Sequence, residues 1–221
     1  NIVLVHGAWA DGAGWRGTHD ILRARGYRVS VVQSPLHSLA GDVAAVERVL
    51  ARQDGPTLLV GHSYGRAVLT HAGLAGKVVG LVYVAAFVPD AGESVAAMSA
   101  QAAPPPLQPS QDGYLFFDRS LFAQAFAQDL PADTGHFLAA SQHPPAAAAF
   151  GAPVASAAWK SRRSWYVLAT EDRIIPPVAQ RQMAQRARAT VTEVRAGHAV
   201  YISQPQAVAD VIDAAARASG R

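Results

Sequence analysis

The sequence predicts an α/β domain in which a mostly parallel central sheet is covered by helices on both faces. Three observations lead there. Short apolar, β-branched runs alternate with segments of helical periodicity up to about residue 90 and again after residue 161. One of these runs leads straight into Gly61-His62-Ser63-Tyr64-Gly65 and then into a helical segment. The last run is followed by Ala196-Gly197-His198-Ala199, in a loop before the final helix.

Taken in order, residues 2–5 form an apolar run that stops at His6-Gly7, as a buried parallel strand does. Residues 15–25 read as a helix with Trp15, Ile21 and Leu22 on its apolar side and Gly26 as the stop. A second strand over 27–33 ends at Ser34-Pro35, and 39–52 carries Val43, Val46, Val49 and Leu50 at helical spacing before the Asp54-Gly55-Pro56 turn. Residues 57–60 are the next strand, 67–74 a helix, and 78–85 a buried strand closed by Phe87-Val88-Pro89-Asp90. After residue 161 the rhythm returns: strand 165–170, helix 177–188, strand 190–194, and a closing helix 205–218 with Val208, Val211 and Ile212 inside.

Residues 91–161 break this pattern. They hold Pro104, Pro105, Pro106 and Pro109, four phenylalanines (Phe116, Phe117, Phe122, Phe126) and an Ala/Pro tract at 144–149. Phenylalanines at this density need apolar surface to cover. The expectation is a small cap of short helices joined by stiff loops, inserted into a core made of 1–90 and 162–221.

Composition excludes several classes. The chain has 221 residues, enough for one domain with a buried sheet, and half of them are hydrophobic. The absence of cysteine removes disulfides, zinc-thiolate sites and a thiol nucleophile. Net charge is +3, and the arginines that supply it (Arg23, Arg25, Arg28, Arg48, Arg52, Arg181, Arg186, Arg188) are scattered over what read as outer helix faces. A nucleic-acid footprint would cluster them with aromatics between, so no nucleic-acid partner is expected. No apolar run reaches the ~18 residues of a membrane helix, so no membrane partner is expected either. The chain opens at Asn1 in a strand-like run without a Met. Such a start is what removal of a leader or first strand would leave; the expected location is cytoplasmic, with secretion left open.

The chemistry concentrates at the strand ends. G-x-S-x-G between a strand and a helix is the pattern of an elbow that lifts a serine hydroxyl above the sheet edge, which marks Ser63 as a nucleophile. A serine hydroxyl needs a base within reach. Among eight histidines, His198 follows the last strand, and it completes the chain order serine, acid, histidine. His136 and His143 read as surface residues of the cap, and His6 as a brace for the backbone beside Gly7. Glu171 and Asp172 both follow strand 165–170; Asp172 is chosen as the acid, Glu171 is the nearer alternative, and Asp90 reads as a turn residue. Two backbone N–H groups should receive the oxyanion, those of Tyr64 and Ala8. Neither a metal-ligand cluster nor a phosphate-cradling glycine loop is present, and no cofactor is expected.

Val5-His6-Gly7-Ala8, the Ser63 pentapeptide, Ala85-Ala86-Phe87-Val88-Pro89-Asp90, Glu171-Asp172-Arg173-Ile174-Ile175-Pro176 and Gly197-His198 together resemble the α/β-hydrolase superfamily. Within it the chain is similar to small bacterial esterases related to the plant methylesterase and hydroxynitrile lyase group. The resemblance implies the α/β-hydrolase fold, a Ser63-Asp172-His198 triad and an oxyanion hole at Ala8 and Tyr64. It also implies a serine esterase acting on small to medium, largely apolar carboxylic esters through an acyl-enzyme. The lyases carry a threonine at the position of Gly7, a glutamate at that of His62 and a lysine at that of Ala199, and all three differences lean toward hydrolysis. A lyase of C–C bonds, a lactone or amide hydrolase, and a non-catalytic binder of small ligands are the alternatives. Relatives usually have glycine where this chain has Arg66, in the first turn after the elbow, where a cation is mildly unfavourable. Oligomeric state is left open.

Overall fold

The computed structural model describes residues 1–100 and 105–220, with the side chains of Arg66 and His71 outside that description. Pro104, and the consequence expected of the Arg66 side chain, therefore lie outside the described residues. Eight strands are present among those described: β1 (Ile2–Val5), β2 (Val29–Val32), β3 (Thr57–His62), β4 (Val78–Val84), β5 (Leu107–Pro109), β6 (Leu115–Phe117), β7 (Ser164–Ala169) and β8 (Thr190–Val194). The helices are α1 (Arg16–Ala24), α2 (Leu39–Ala51), α3 (Gly65–Ala72), α4 (Val95–Ser99), α5 (Arg119–Phe126), α6 (Ala132–Ala140), α7 (Ala147–Gly151), α8 (Pro177–Arg186), α9 (Val200–Ser203) and α10 (Pro205–Ser219).

Six strands form one sheet in the order β2-β1-β3-β4-β7-β8, and every neighbouring pair in it is parallel. Successive side chains of a strand point to opposite faces, and here both faces are buried. Ile2, Leu4, Leu58, Val60, Val82 and Val84 pack with Trp15 and Leu22 at α1 and Val208 and Ile212 of α10. Val3, Val5, Leu59, Leu81 and Tyr83 pack on the other face with Val46 of α2, Val68 of α3 and Met183 of α8. This explains why the inner strands read as apolar runs in the sequence, whereas the edge strand β8 is exposed and mixes Thr and Glu with Val. Local signals set the helix starts: the Ser38 hydroxyl accepts the Gly41 N–H at α2, and Pro205 opens α10, where its missing N–H costs nothing.

Residues 91–161 differ from the expected helices and loops in one respect: β5 and β6 form an antiparallel hairpin with Leu107 opposite Phe117. Pro109 at its edge hid this strand, because a proline cannot donate to a ladder and demotes the run that contains it. Phe117, Phe122 and Phe126 are fully buried, whereas Phe116 turns outward. Trp9, just past β1, reaches up between Phe117 and Phe150 with ring centroids 5.6 Å from each. Its indole N–H donates to the Leu115 carbonyl at 2.7 Å. These aromatics join the same hydrophobic cluster as Val3 and Val5 of the sheet.

Two minor expectations are corrected here. His143 is half-buried rather than a surface residue: its Nε2 contacts the Pro35 carbonyl at 3.2 Å and its own carbonyl accepts the Trp9 N–H. Arg186 is not on an outer face; it is half-buried, ion-paired with Glu93 at 2.8 Å and hydrogen-bonded to the Val88 carbonyl. No helix among the described residues is long and apolar enough to cross a membrane.

Candidate active site

The site begins with backbone geometry at the end of β3. Ser63 has φ +52°, a left-handed conformation that is costly for a residue with a Cβ and that is held only when the surroundings enforce it. Its N–H is tied to the Val84 carbonyl at 3.2 Å, and α3 begins two residues later. Gly65 is required there, because a Cβ at that position would lie 2.3 Å from the His6 carbonyl oxygen. The sharp turn thus rests on close approach between the β1 and β3 loops, and it leaves Ser63 at the C-terminal edge of the sheet.

The loops after β7 and β8 converge on the same point. His198 Nε2 lies 3.0 Å from Ser63 Oγ, and His198 Nδ1 lies 2.8 Å from Asp172 Oδ2. All three residues are buried. Asp172 also accepts the N–H groups of Ile174 and Ile175 on Oδ1, at 2.7 and 2.9 Å, and the Gln180 amide on Oδ2 at 2.8 Å. Four donors on one buried carboxyl match an acceptor-only carboxylate and fix its plane. The alternatives point elsewhere. Glu171 pairs with Arg195 at 2.7 Å on the surface, and Asp90 pairs with Lys160 at 2.6 Å.

Ala8 and Tyr64 are both fully buried, and neither N–H meets a protein acceptor among the described residues. Tyr64 is anchored through its hydroxyl, which donates to Asp42 Oδ2 at 2.7 Å, while Asp42 Oδ1 accepts the Leu36 N–H at 2.8 Å. Burial pushes the Asp42 carboxyl above its ordinary range and the Tyr64 phenol upward too. Phe150 stacks on the Tyr64 ring at 5.1 Å.

Two histidines brace the site. His6 Nδ1–H donates to the Gly7 carbonyl at 2.8 Å and its Nε2 accepts the Ser34 N–H at 3.0 Å, which fixes a neutral tautomer. This is the backbone-bracing place expected for it. His62 Nε2–H donates to the carbonyl of His198 at 2.9 Å, so the residue before Ser63 holds the loop that carries the imidazole. Burial lowers the basicity of both rings, most strongly for His62, and the nearby His198 lowers that of His62 further. Sequence reasoning missed the roles of Gln180, Asp42 and His62, because no motif names their partners: Asp42 meets Tyr64 22 residues on, His62 meets the His198 carbonyl 136 residues on, and Gln180 meets Asp172 across an intervening loop. Only the polarity of Asp42 in an otherwise apolar helical stripe was a signal.

A cavity of about 330 Å³ opens on Ser63. Trp9, Phe87, Met98, Phe150, Ile175 and Met183 form much of its wall, and no charged side chain is among the described residues that line it.

A family model described as the alpha/beta hydrolase family matches residues 2–211. The chain belongs to that family. A carbendazim-hydrolysing esterase from Nocardioides is 38% identical over a segment covering 48% of this chain and 49% of the esterase, so the match spans about half of that relative's length. A pyrethroid hydrolase from Sphingobium wenxiniae is 28% identical over 96% of this chain and 86% of that protein. A solved pyrethroid hydrolase structure superposes with a TM-score of 0.85 at 26% identity, over 99% of this chain and 98% of that one. An Arabidopsis methylesterase shares the fold, with a TM-score of 0.81 at 17% identity over 98% of each chain.

Proposed function

We propose that this α/β-hydrolase is a carboxylic-ester hydrolase that cleaves small to medium, largely apolar esters through an acyl-enzyme on Ser63. The observation that carries the reading is Ser63 Oγ within 3.0 Å of His198 Nε2 on the wall of an uncharged cavity. The esterase and pyrethroid hydrolase relatives support ester chemistry and a small-molecule substrate. A pocket of this size with no charged side chain among its described lining suits an apolar acyl or alcohol group.

In this reading His198 takes the Ser63 hydroxyl proton as Oγ attacks the ester carbonyl carbon. The backbone N–H groups of Ala8 and Tyr64 receive the oxyanion, and Asp172 stabilises the imidazolium. As the C–O bond to the alcohol breaks, His198 returns the proton to the leaving oxygen. A water then enters by the vacated position, gives a proton to His198 and attacks the acyl carbon; collapse of that intermediate frees the acid and restores Ser63. Residues 91–161 act as a cap over a core of 1–90 and 162–221, and supply Met98 and Phe150 to the cavity wall.

Intact-mass spectrometry after fluorophosphonate treatment tests the nucleophile. One adduct on the chain and none on Ser63→Ala supports the reading, and a folded chain that takes no adduct overturns it. A panel of short-chain aryl esters, lactones, amides and cyanohydrins then tests the ester preference.

A further inference from the structure

The triad rests on loops from the sheet, but part of the hold on two of them comes from the covering segment. At the end of α5, residues 124–129 lie against both loops. Asp129 Oδ2 accepts the N–H of Gly197, the residue before His198, at 2.8 Å, and the hydroxyl of Ser203 at 2.6 Å. Gln128 donates to the carbonyl of Glu171, the residue before Asp172, at 2.7 Å. Arg173, on the other side of Asp172, donates to the Gln124 carbonyl at 3.0 Å. Phe126 sets its ring against the His198 ring, centroids 4.9 Å apart and near perpendicular.

We propose that Asp129 is a positioning residue for His198, so that the alignment of the base with Ser63 depends on the covering segment being seated. The chemistry favours a carboxylate. One oxygen receives two donors, from Gly197 before the histidine and from Ser203 at the end of α9 after it, so the loop between is pinned at both ends. Charge-assisted bonds of this kind are short and strong compared with neutral ones. The second oxygen, Oδ1, is buried and meets no partner among the described residues, so the two donors on Oδ2 set the orientation of the carboxyl. A Cβ on Gly197 would meet the end of the Gln128 side chain, which would have to swing away from the Glu171 carbonyl. His62 holds the carbonyl of His198 from below through its Nε2, and Asp129 holds the preceding N–H from above. A shift of the loop by about 1 Å lengthens the Ser63–His198 bond beyond useful reach, a displacement that costs on the order of 10²-fold in rate.

The inference rests on the proposed roles of Ser63 and His198. It is tested by comparing Asp129→Ala and Asp129→Asn with the unaltered chain, in fluorophosphonate labelling rate, in kcat and KM on a short-chain aryl ester, and in melting temperature. Asp129→Ala is expected to slow labelling and kcat together by about 10- to 100-fold, with KM within about threefold. Asp129→Asn keeps an oxygen that accepts both donors and is expected to stay within about fivefold of the parent. A folded Asp129→Ala protein within twofold of the parent in both rates overturns the proposal, as does an asparagine variant as impaired as the alanine. If the alanine variant does not fold, Ser203→Ala, which removes one donor from Oδ2, is expected to slow labelling about two- to fivefold. An unchanged rate there overturns the proposal too. An unaltered chain that folds but takes no label overturns instead the reading of Ser63 on which the proposal stands.

Discussion

The sheet and residues 91–161 reach the candidate site by different means. On the sheet side, position follows from backbone: β3 ends in a turn that forces Ser63 to φ +52°, and Gly65 lets the chain pass within contact of His6. Between residues 91–161 and the sheet, contact follows from side chains that reach across sequence, as when Asp129 holds Gly197 or Trp9, from the loop after β1, wedges between Phe117 and Phe150. The first kind of constraint tolerates almost no substitution at a few positions. The second is spread over more residues, each joined to a partner distant in the chain. The difference shows how a buried parallel sheet can supply a rigid platform while the surface above it varies.

Removing the proposed nucleophile should give the largest effect. Ser63→Ala should lower kcat on an aryl ester by at least about 10³-fold with the melting temperature little changed, measured by initial rates and thermal unfolding. Next comes the backbone constraint. Gly65→Ala places a methyl group against the His6 carbonyl and should destabilise the protein by about 3 kcal/mol, read from chemical denaturation. Phe122→Ala should cost a similar ~3 kcal/mol, since the ring is fully buried, stacks on Phe126 at 4.8 Å and meets Phe117 at 5.4 Å. Because these rings share a cluster with the sheet, a single unfolding transition is expected. Two separate transitions would show that the segment folds independently and break the comparison.

Acid should act through the two bracing histidines. The folded state lowers the pKa of His6 and His62, so the unfolded chain binds more protons below the ordinary imidazole value of about 6.5. Stability is therefore fully present above that pH and falls as pH drops, by up to about 1.4 kcal/mol per pH unit for each ring. Denaturation midpoints between pH 7 and 5 should show this slope, and His62→Gln should reduce it by about half. The smallest effect is expected at the surface. Asp210→Asn removes the exposed pair with Arg25 and should change stability by less than about 1 kcal/mol.

The sequence carried the sheet because burial on both faces writes its inner strands as apolar runs, as at 57–60 and 78–84. It carried Ser63, Asp172 and His198 as candidates because each stands at a strand end, in an order along the chain, and the structure brings those three together. The hairpin of β5 and β6 was illegible because each strand has only three residues and one includes Pro109. Asp129 and Gln180 were illegible for another reason. Their partners lie 68 and 8 residues away, respectively, and a lone polar residue in a helix or loop gives no clue to the carbonyl, amide or carboxylate it will meet.

The wall of the cavity also divides by how much else depends on each residue. Trp9, Phe150 and Met183 are buried supports of the core as well as lining, so a change there unsettles the scaffold along with the pocket. Met98, Val178 and Gln182 line the same cavity from its rim, and Val178 is 62% exposed. Substitutions at these rim positions can reshape the opening with little loss of stability, since few contacts are removed. Divergence toward new substrates therefore has an inexpensive route in this protein, through the mouth of the pocket and not its floor.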